Sequence, residues 1–169
     1  MTTTSDRAAL FADGLQAAQG ELVQCRSWED IWQYAVSLSD ETPVVAPSAY
    51  AHLQQGELPD EDEPLRSIAD RSVGITVATL GVAETGSVLL LEPAPIDRAV
   101  SLLTRHLIVA VAAADIVDEL ADGFRWLAQQ PRAAAYATFV TGPSRTADIE
   151  RSLTIGVQGP SRLTVAVLP

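Results

Sequence analysis

Polar and apolar positions along this chain switch between two periods. Trp28, Ile31, Trp32, Ala35 and Leu38 recur at helical spacing, with Ser27 placed as N-cap and Asp30 three residues on, a near capping box. Ala8, Leu10, Phe11, Leu15 and Ala18 mark a looser face of an earlier helix that Ser5 can cap and Gly20 ends. Glu21 to Cys25, between them, is short and β-like, and Pro43 to Pro47 reads as a short buried strand followed by a turn or two of helix over 48–53. Period-two alternation at Val73, Ile75 and Val77 predicts a strand over 72–79. Ser87 to Leu91 is a second strand, and its run Val88-Leu89-Leu90-Leu91 implies burial on both faces. Asp97 opens a helix to Leu103, and His106 to Ala112, the most hydrophobic strand, belongs at the centre. Asp115 then predicts the start of a long helix to about Gln130, with Ile116, Leu120, Phe124 and Leu127 on one side and Pro131 as its stop. A strand over 136–140, a helix from Ser144 to about Leu153, a loop over 156–160 and a last strand from Leu163 to Leu168 complete the chain. Strands alternating with helices predict an α/β fold: a mostly parallel sheet with helices on both faces, plus a hairpin-like element through Glu84-Thr85-Gly86.

Composition narrows the functional classes. The chain has 169 residues, enough for a single domain with a substantial core, and 47% of them are apolar. The longest apolar run, Leu107 to Ala114, is eight residues, far short of a membrane span. Met1 to Arg7 has no basic start leading into an apolar block, so no signal peptide is expected and the cytoplasm is the default location. The net charge of −11 argues against nucleic acid and anionic membranes as partners. All 11 basic residues are Arg, which excludes a lysine Schiff base and a P-loop lysine. One cysteine, Cys25, and two histidines, His52 and His106, give neither an iron–sulfur cluster nor a zinc site, so no metal or cofactor is expected on this chain. Gln54 to Pro64 carries five acids among Gly56, Pro59 and Pro64, and reads as a mobile, solvated acidic loop or an acidic docking arm.

Two stretches carry candidate chemistry. The first runs Thr141-Gly142-Pro143-Ser144-Arg145-Thr146-Ala147-Asp148-Ile149-Glu150. Gly142-Pro143 turns the chain after an apolar strand, Ser144 or Thr146 can cap a helix, and Asp148 and Glu150 suit its first turn. A strand end, free backbone N–H groups and the fork of Arg145 together suit a small carboxylate or a partner's acidic group; a well-capped helix is the plainer reading. The second is Glu84 in a glycine turn with Thr85 and Gly86. Its carboxylate is a candidate general base or nucleophile, or a turn acid bonded to backbone N–H groups. His106 is a strand-end histidine or a proton-transfer group.

Three stretches together resemble the lactate-utilization protein C family (LutC/YkgG, the LUD domain). They are Gly74 through Leu90 with Glu84-Thr85-Gly86, then Ser101-Leu102-Leu103 with His106 to Val109, then Gly142 to Glu150 with Gly156-Val157-Gln158-Gly159-Pro160. The resemblance covers about residues 70 to 169 and is weak before that. Gln158 stands where the family usually has His, and Thr104-Arg105 replaces the usual prolines before His106. The resemblance implies one LUD-type domain over 1–169, with a helical N-terminal part over 1–40, and a NagB/RpiA/CoA-transferase-like fold. It implies a subunit of a system that oxidises L-lactate to pyruvate, an electron-transfer complex whose clusters sit in companion iron–sulfur proteins. Two alternatives stay open: an acyl- or CoA-transferase-like enzyme using Glu84, and a non-catalytic assembly factor. The candidate residues are Glu84 for catalysis and Thr85, Gly86, Gly142, Ser144, Arg145, Thr146 and Asp148 for ligand binding, gathered in one cleft at the C-terminal ends of the sheet strands.

Overall fold

A computed structural model describes residues 4–60, 62, 64–130, 136–147, 153–156 and 159–169. In chain order the elements are α1 (Thr4–Ala17), β1 (Glu21–Gln24), α2 (Trp28–Ser37), β2 (Val44–Val45), α3 (Pro47–Leu53), α4 (Pro64–Ile68), β3 (Val73–Val77), β4 (Leu80–Val82), β5 (Ser87–Leu91) and α5 (Pro95–Leu103). There follow β6 (His106–Ala112), a 3₁₀ turn (Ala113–Asp115), β7 (Ile116–Val117), α6 (Leu120–Ala128), β8 (Ala137–Val140), β9 (Arg145–Ala147), β10 (Leu153–Ile155) and β11 (Arg162–Leu168).

The protein is an α/β fold. Among the described residues a five-stranded sheet, ordered β1-β11-β6-β3-β2, pairs in parallel throughout. The apolar run of β6 sits at its middle, where both faces are covered, as its composition requires. Successive β6 side chains serve different cores: Ile108 and Ala110 pack with α2 and α3, while Leu107, Val109 and Val111 pack with Phe11 and Leu15 of α1. Each of these large side chains is fully buried, which stabilises the fold by roughly 1.5–3 kcal/mol apiece.

Residues 80–140 depart from a single-sheet picture. β7, β4, β5 and β8 form a second, four-stranded sheet, with β4–β5 and β5–β8 antiparallel. Its inner face adds Val88 and Leu90 to the core shared with α1, and its outer face, Leu80, Val82 and Leu89, is covered by Leu120 and Trp126 of α6. The layers are therefore α2 and α3, the parallel sheet, α1 with the second sheet, and α6.

Two expected helices are corrected. The long helix from Asp115 begins only at Leu120, because Ile116 and Val117 pair with Gly81 and Val82 as an edge strand. Glu119 and Asp122 form a capping box at this start, in place of the cap expected from Asp115. In place of the start and end of the helix expected from Ser144 to Leu153 there is an antiparallel pair, with Arg145, Thr146 and Ala147 opposite Ile155, Thr154 and Leu153; residues 148–152 lie outside the described residues. Ser144 is fixed by strand-like bonds at its root: its N–H donates to Pro160 C=O (2.8 Å) and its C=O accepts from Gly156 N–H (2.9 Å). The Ser144 C=O, which at an N-cap would accept the first intrahelical bond, is taken by Gly156 N–H instead. Ser5 lies inside α1 rather than ahead of it, whereas Ser27 and Asp30 form the expected capping box of α2.

The acidic segment after Gln54 is anchored at its beginning. Glu57 N–H donates to Pro43 C=O (3.0 Å), Glu57 C=O accepts from Val45 N–H (2.9 Å), and the Glu57 carboxylate takes the Arg71 fork at 2.7 and 3.1 Å.

Candidate functional site

The two signature turns lie side by side, and antiparallel pairing puts them there. β5 starts just after Glu84-Thr85-Gly86 and β8 ends just before Gly142; Val88 pairs with Val140. A chain of hydroxyls joins them: Thr85 Oγ1 to Ser87 Oγ (2.7 Å) and Ser87 Oγ to Thr141 Oγ1 (2.6 Å). Both turns rest on the last part of α1. Gly86 has φ +63° and lies against the backbone of Gly14 and Leu15, so a Cβ there would run into the Leu15 nitrogen. Gly142 has φ +71° and lies against the Ala18 carbonyl. Gly14 and Leu15 near the end of α1 and Ala18 just after it thus receive the two turns, and glycine is required at both because backbone meets backbone.

Glu84 leaves this junction. It is exposed, its backbone N–H donates to Asp118 C=O (3.0 Å), and its Oε2 accepts from Leu120 N–H (2.9 Å) at the start of α6. That is the position where a helix start favours an acid.

Beyond Gly142 the inner face of the second sheet opens into a cavity of about 140 Å³ (about the size of the 150 Å³ cavities that accept benzene). Leu90, Thr138 and Val140 form the wall from the second sheet, Leu107 and Leu163 the wall from the parallel sheet, and Leu102 with Ser101 the wall from α5; Gly142, Ser144, Gly159 and Pro160 close one side. The cavity therefore sits beside the first residues of β6 and β11, at the amino-terminal end of those strands rather than the carboxyl-terminal end expected from open parallel sheets. The crossing of the two sheets, not the edge of one, makes the space.

Among the described residues one carboxylate lines it. Glu92, directly after β5, is 3% exposed. Its Oε2 accepts from Ser101 Oγ (2.9 Å), and its Oε1 is buried with no hydrogen-bond partner among the described residues. Burial raises its pKa above the ordinary carboxylate value; the Ser101 bond lowers it, nearby Asp97 adds to the rise, and Arg98 opposes it weakly. Arg98 is occupied elsewhere: Nη1 donates to the carbonyls of Glu92 (2.6 Å) and Pro93 (2.9 Å), and its guanidinium lies 4.5 Å over the Tyr136 ring. Asp97 is likewise engaged, accepting from Ser48 N–H and Oγ.

Of the expected ligand-binding residues, Gly142 and Ser144 line the cavity, and Thr85 reaches the same corner through the hydroxyl chain. Gly86 serves the packing on α1. Arg145 is exposed in β9 and Thr146 follows it in that strand, while Asp148 lies outside the described residues. Glu92 and Ser101 are the residues that sequence reasoning passed over. The available signal was a lone acid closing the apolar run Val88–Leu91 and followed by Pro93, a poor place for a solvated side chain.

His106 stands apart from this chemistry. It is 5% exposed at the start of β6, Nε2 lies 2.8 Å from Thr164 Oγ1, and that hydroxyl meets Tyr34 OH at 3.3 Å. Desolvation, with Arg162 nearby, pushes its pKa down to about 4, so it is a neutral, hydrogen-bonded core group. Among the described residues no three of His, Cys, Asp and Glu are grouped for a metal ion, and no helix is long and apolar enough to cross a membrane.

The sequence profile of the LUD domain matches residues 48–168. The chain belongs to the LUD domain family. It is 33% identical over 121 residues to Lactate utilization protein C 1 of Bacillus mycoides (strain KBAB4), an alignment covering 69% of this chain and 52% of that protein. It is 33% identical over 103 residues to Lactate utilization protein C of Bacillus subtilis (strain 168), covering 59% of this chain and 43% of that one. Against the Geobacillus thermodenitrificans (strain NG80-2) protein of the same name it is 27% identical over 173 residues, covering 99% of this chain and 70% of that protein. The chain spans about half the length of most of these curated relatives. The crystal structure of a DUF162 family protein from Deinococcus radiodurans shares this LUD domain's fold, with a TM-score of 0.70, 18% identity and 99% of each chain covered. The profile match leaves out α1 and α2, so the helix that seats both signature turns lies before the matched region.

Proposed function

We propose that this chain is a subunit of an L-lactate utilization system, one that oxidises lactate to pyruvate with iron–sulfur partner proteins. The observation that carries the reading is the 33% identity, over 121 residues, to a protein named for lactate utilization. The turns and cavity wall that this reading uses, Glu84 to Ser87, Gly142 to Ser144 and Gly159-Pro160, lie within the matched region. In this reading the electrons travel through clusters on the partners, since a single buried thiol, Cys25, cannot ligate one. The LUD chain contributes a rigid two-sheet body and a cavity for a small ligand. Its work takes place in the cytoplasm.

Deleting the gene is expected to abolish growth on L-lactate and leave growth on glucose unchanged, with the plasmid-borne gene restoring it. Undiminished lactate growth, in a strain without a second lactate dehydrogenase, would remove the proposal. Affinity isolation of the tagged chain from lactate-grown cells tests the partners: brown, iron-containing proteins should accompany it at stoichiometric ratio.

A further inference from the structure

We propose that Glu92 is the recognition group of the cavity, and that it holds a short-chain monocarboxylate by donating a proton from a neutral carboxyl group to one oxygen of the ligand. The inference deepens the lactate reading by naming the ligand class of the same site, and it rests on that reading only for the choice of probe.

Three observations lead to it. First, Glu92 is 97% buried by its 3% exposure, yet only one of its carboxyl oxygens is bonded. A buried polar atom without a partner costs about 1–3 kcal/mol; of the two such atoms among the described residues, Thr76 Oγ1 and Glu92 Oε1, only the residue of the second lines the cavity. Second, among the described residues no cation bonds its carboxyl group. Arg98, the near one, turns Nη1 to two carbonyls and its face to Tyr136. Burial favours the protonated form of a carboxyl group so placed, and it raises the Glu92 pKa. Third, the cavity it lines is mostly apolar, with the hydroxyls of Ser101, Thr138 and Ser144 and the ring of Tyr136 in its walls, and of a size for a molecule of about six non-hydrogen atoms.

The ligand class follows. Leu90, Leu107 and Leu163 suit an alkyl end, and the neutral Glu92 carboxyl offers one O–H donor for the other end. A carboxylate meeting a carboxylic acid shares one proton, so a single negative charge enters the cavity instead of two. Arg145, the group that sequence alone suggested for anchoring a carboxylate, is in β9 and does not line the cavity. The charged and titratable groups facing Glu92 are Asp97 and Arg98 on α5 and Tyr136 ahead of β8; the walls from β6, β11 and the 142–144 and 159–160 segments contribute none.

Pyruvate serves as the probe, its binding to the full chain followed by saturation-transfer NMR and calorimetry between about pH 5 and about pH 9. The expected result is saturable binding that weakens about tenfold or more as Glu92 loses its proton. Glu92→Gln should keep binding, because its amide also donates, and should lose the pH dependence. Glu92→Leu should lose binding while remaining folded by circular dichroism. Binding by Glu92→Leu equal to that of the wild type, a flat pH profile in the wild type, or no saturable binding of pyruvate overturns the proposal. The assay needs no growth phenotype: failure here with a lactate defect in the deletion strain removes the role of Glu92 alone, and binding without that defect removes the lactate reading alone.

Discussion

The two ends of β5 carry the two acids of the second sheet in opposite circumstances. Glu84, before the strand, is exposed, and an α6 backbone N–H meets it. Glu92, after the strand, is buried in an apolar wall with half its carboxyl group unpaired. The first end reads as chemistry in the sequence, with a glycine turn, a hydroxyl and an acid, yet its atoms are used in holding helix α6 and seating the turn on α1. The second end carries no motif, yet it keeps an unpaired carboxyl oxygen beside an open space. The difference between the two ends is one of burial: the turn satisfies its acid, and the wall leaves its acid half unpaired.

The sharpest way to break this comparison is at Gly86. If the Glu84 end is structural, its tolerance is set by the contact with Gly14 and Leu15 and by the positive φ. Gly86→Ala should lose about 3–5 kcal/mol, combining left-handed strain with a backbone overlap that no rotamer relieves. The melting temperature should drop by roughly 10 °C or more, readable by calorimetry. A variant as stable as the wild type would show that α1 does not brace the turn.

The next test separates a satisfied buried group from an unsatisfied one through pH. His106 is neutral and bonded to Thr164, with its folded pKa depressed from 6.5 to about 4. The unfolded chain binds the proton more readily, so the stability His106 contributes is complete above about pH 6.5 and is lost as pH falls toward 4, roughly 3 kcal/mol in all. For Glu92 the folded pKa is raised, so the folded chain binds the proton more readily. Its contribution is greatest below the unfolded carboxylate value and declines as pH rises through the folded one. Urea titrations across pH should show the acid-side loss flattened in His106→Gln and the alkaline-side decline flattened in Glu92→Gln. Parallel curves for both variants would remove the assigned ionisation states.

How much of this was legible beforehand depends on whether the deciding contacts are local. The capping box of Ser27 and Asp30 and the central place of β6 follow from neighbours in sequence and appear as expected. The pair β9–β10 does not, because Ser144 and Thr146 carry cap chemistry whose competitor is a distant segment: Pro160 and Gly156 take up the Ser144 backbone. The late start of α6 has the same origin, since Ile116 and Val117 satisfy β4 first. Gly142 and Ser144, which the motif names, line the cavity. Glu92 was not legible, because its burial comes from Ser101 on α5 and from the strand pairing that sets Tyr136 beside it, Glu92 N–H donating to Tyr136 C=O at 3.1 Å. Its significance lies in an absent partner, which no local pattern encodes.

The smallest expected effect is also the one that decides between the two ends. Glu84→Gln leaves the side-chain oxygen that accepts from Leu120 N–H and removes only the charge beside the α6 start. An acid near a helix N-terminus stabilises by about 0.3–1 kcal/mol when exposed, and the neighbouring Glu119–Asp122 capping box remains to hold the helix. The variant should therefore melt within roughly 2 °C of the wild type. If Glu84 only seats α6, it should also bind pyruvate with unchanged affinity and support lactate growth in the deletion strain. If instead Glu84 is a general base or nucleophile, the same near-isosteric change should leave stability alone and abolish lactate growth. Complementation by Glu84→Gln and Glu92→Leu side by side thus ranks the two ends directly: growth with the first and none with the second places the chemistry at the buried end, and the reverse pattern returns it to the turn.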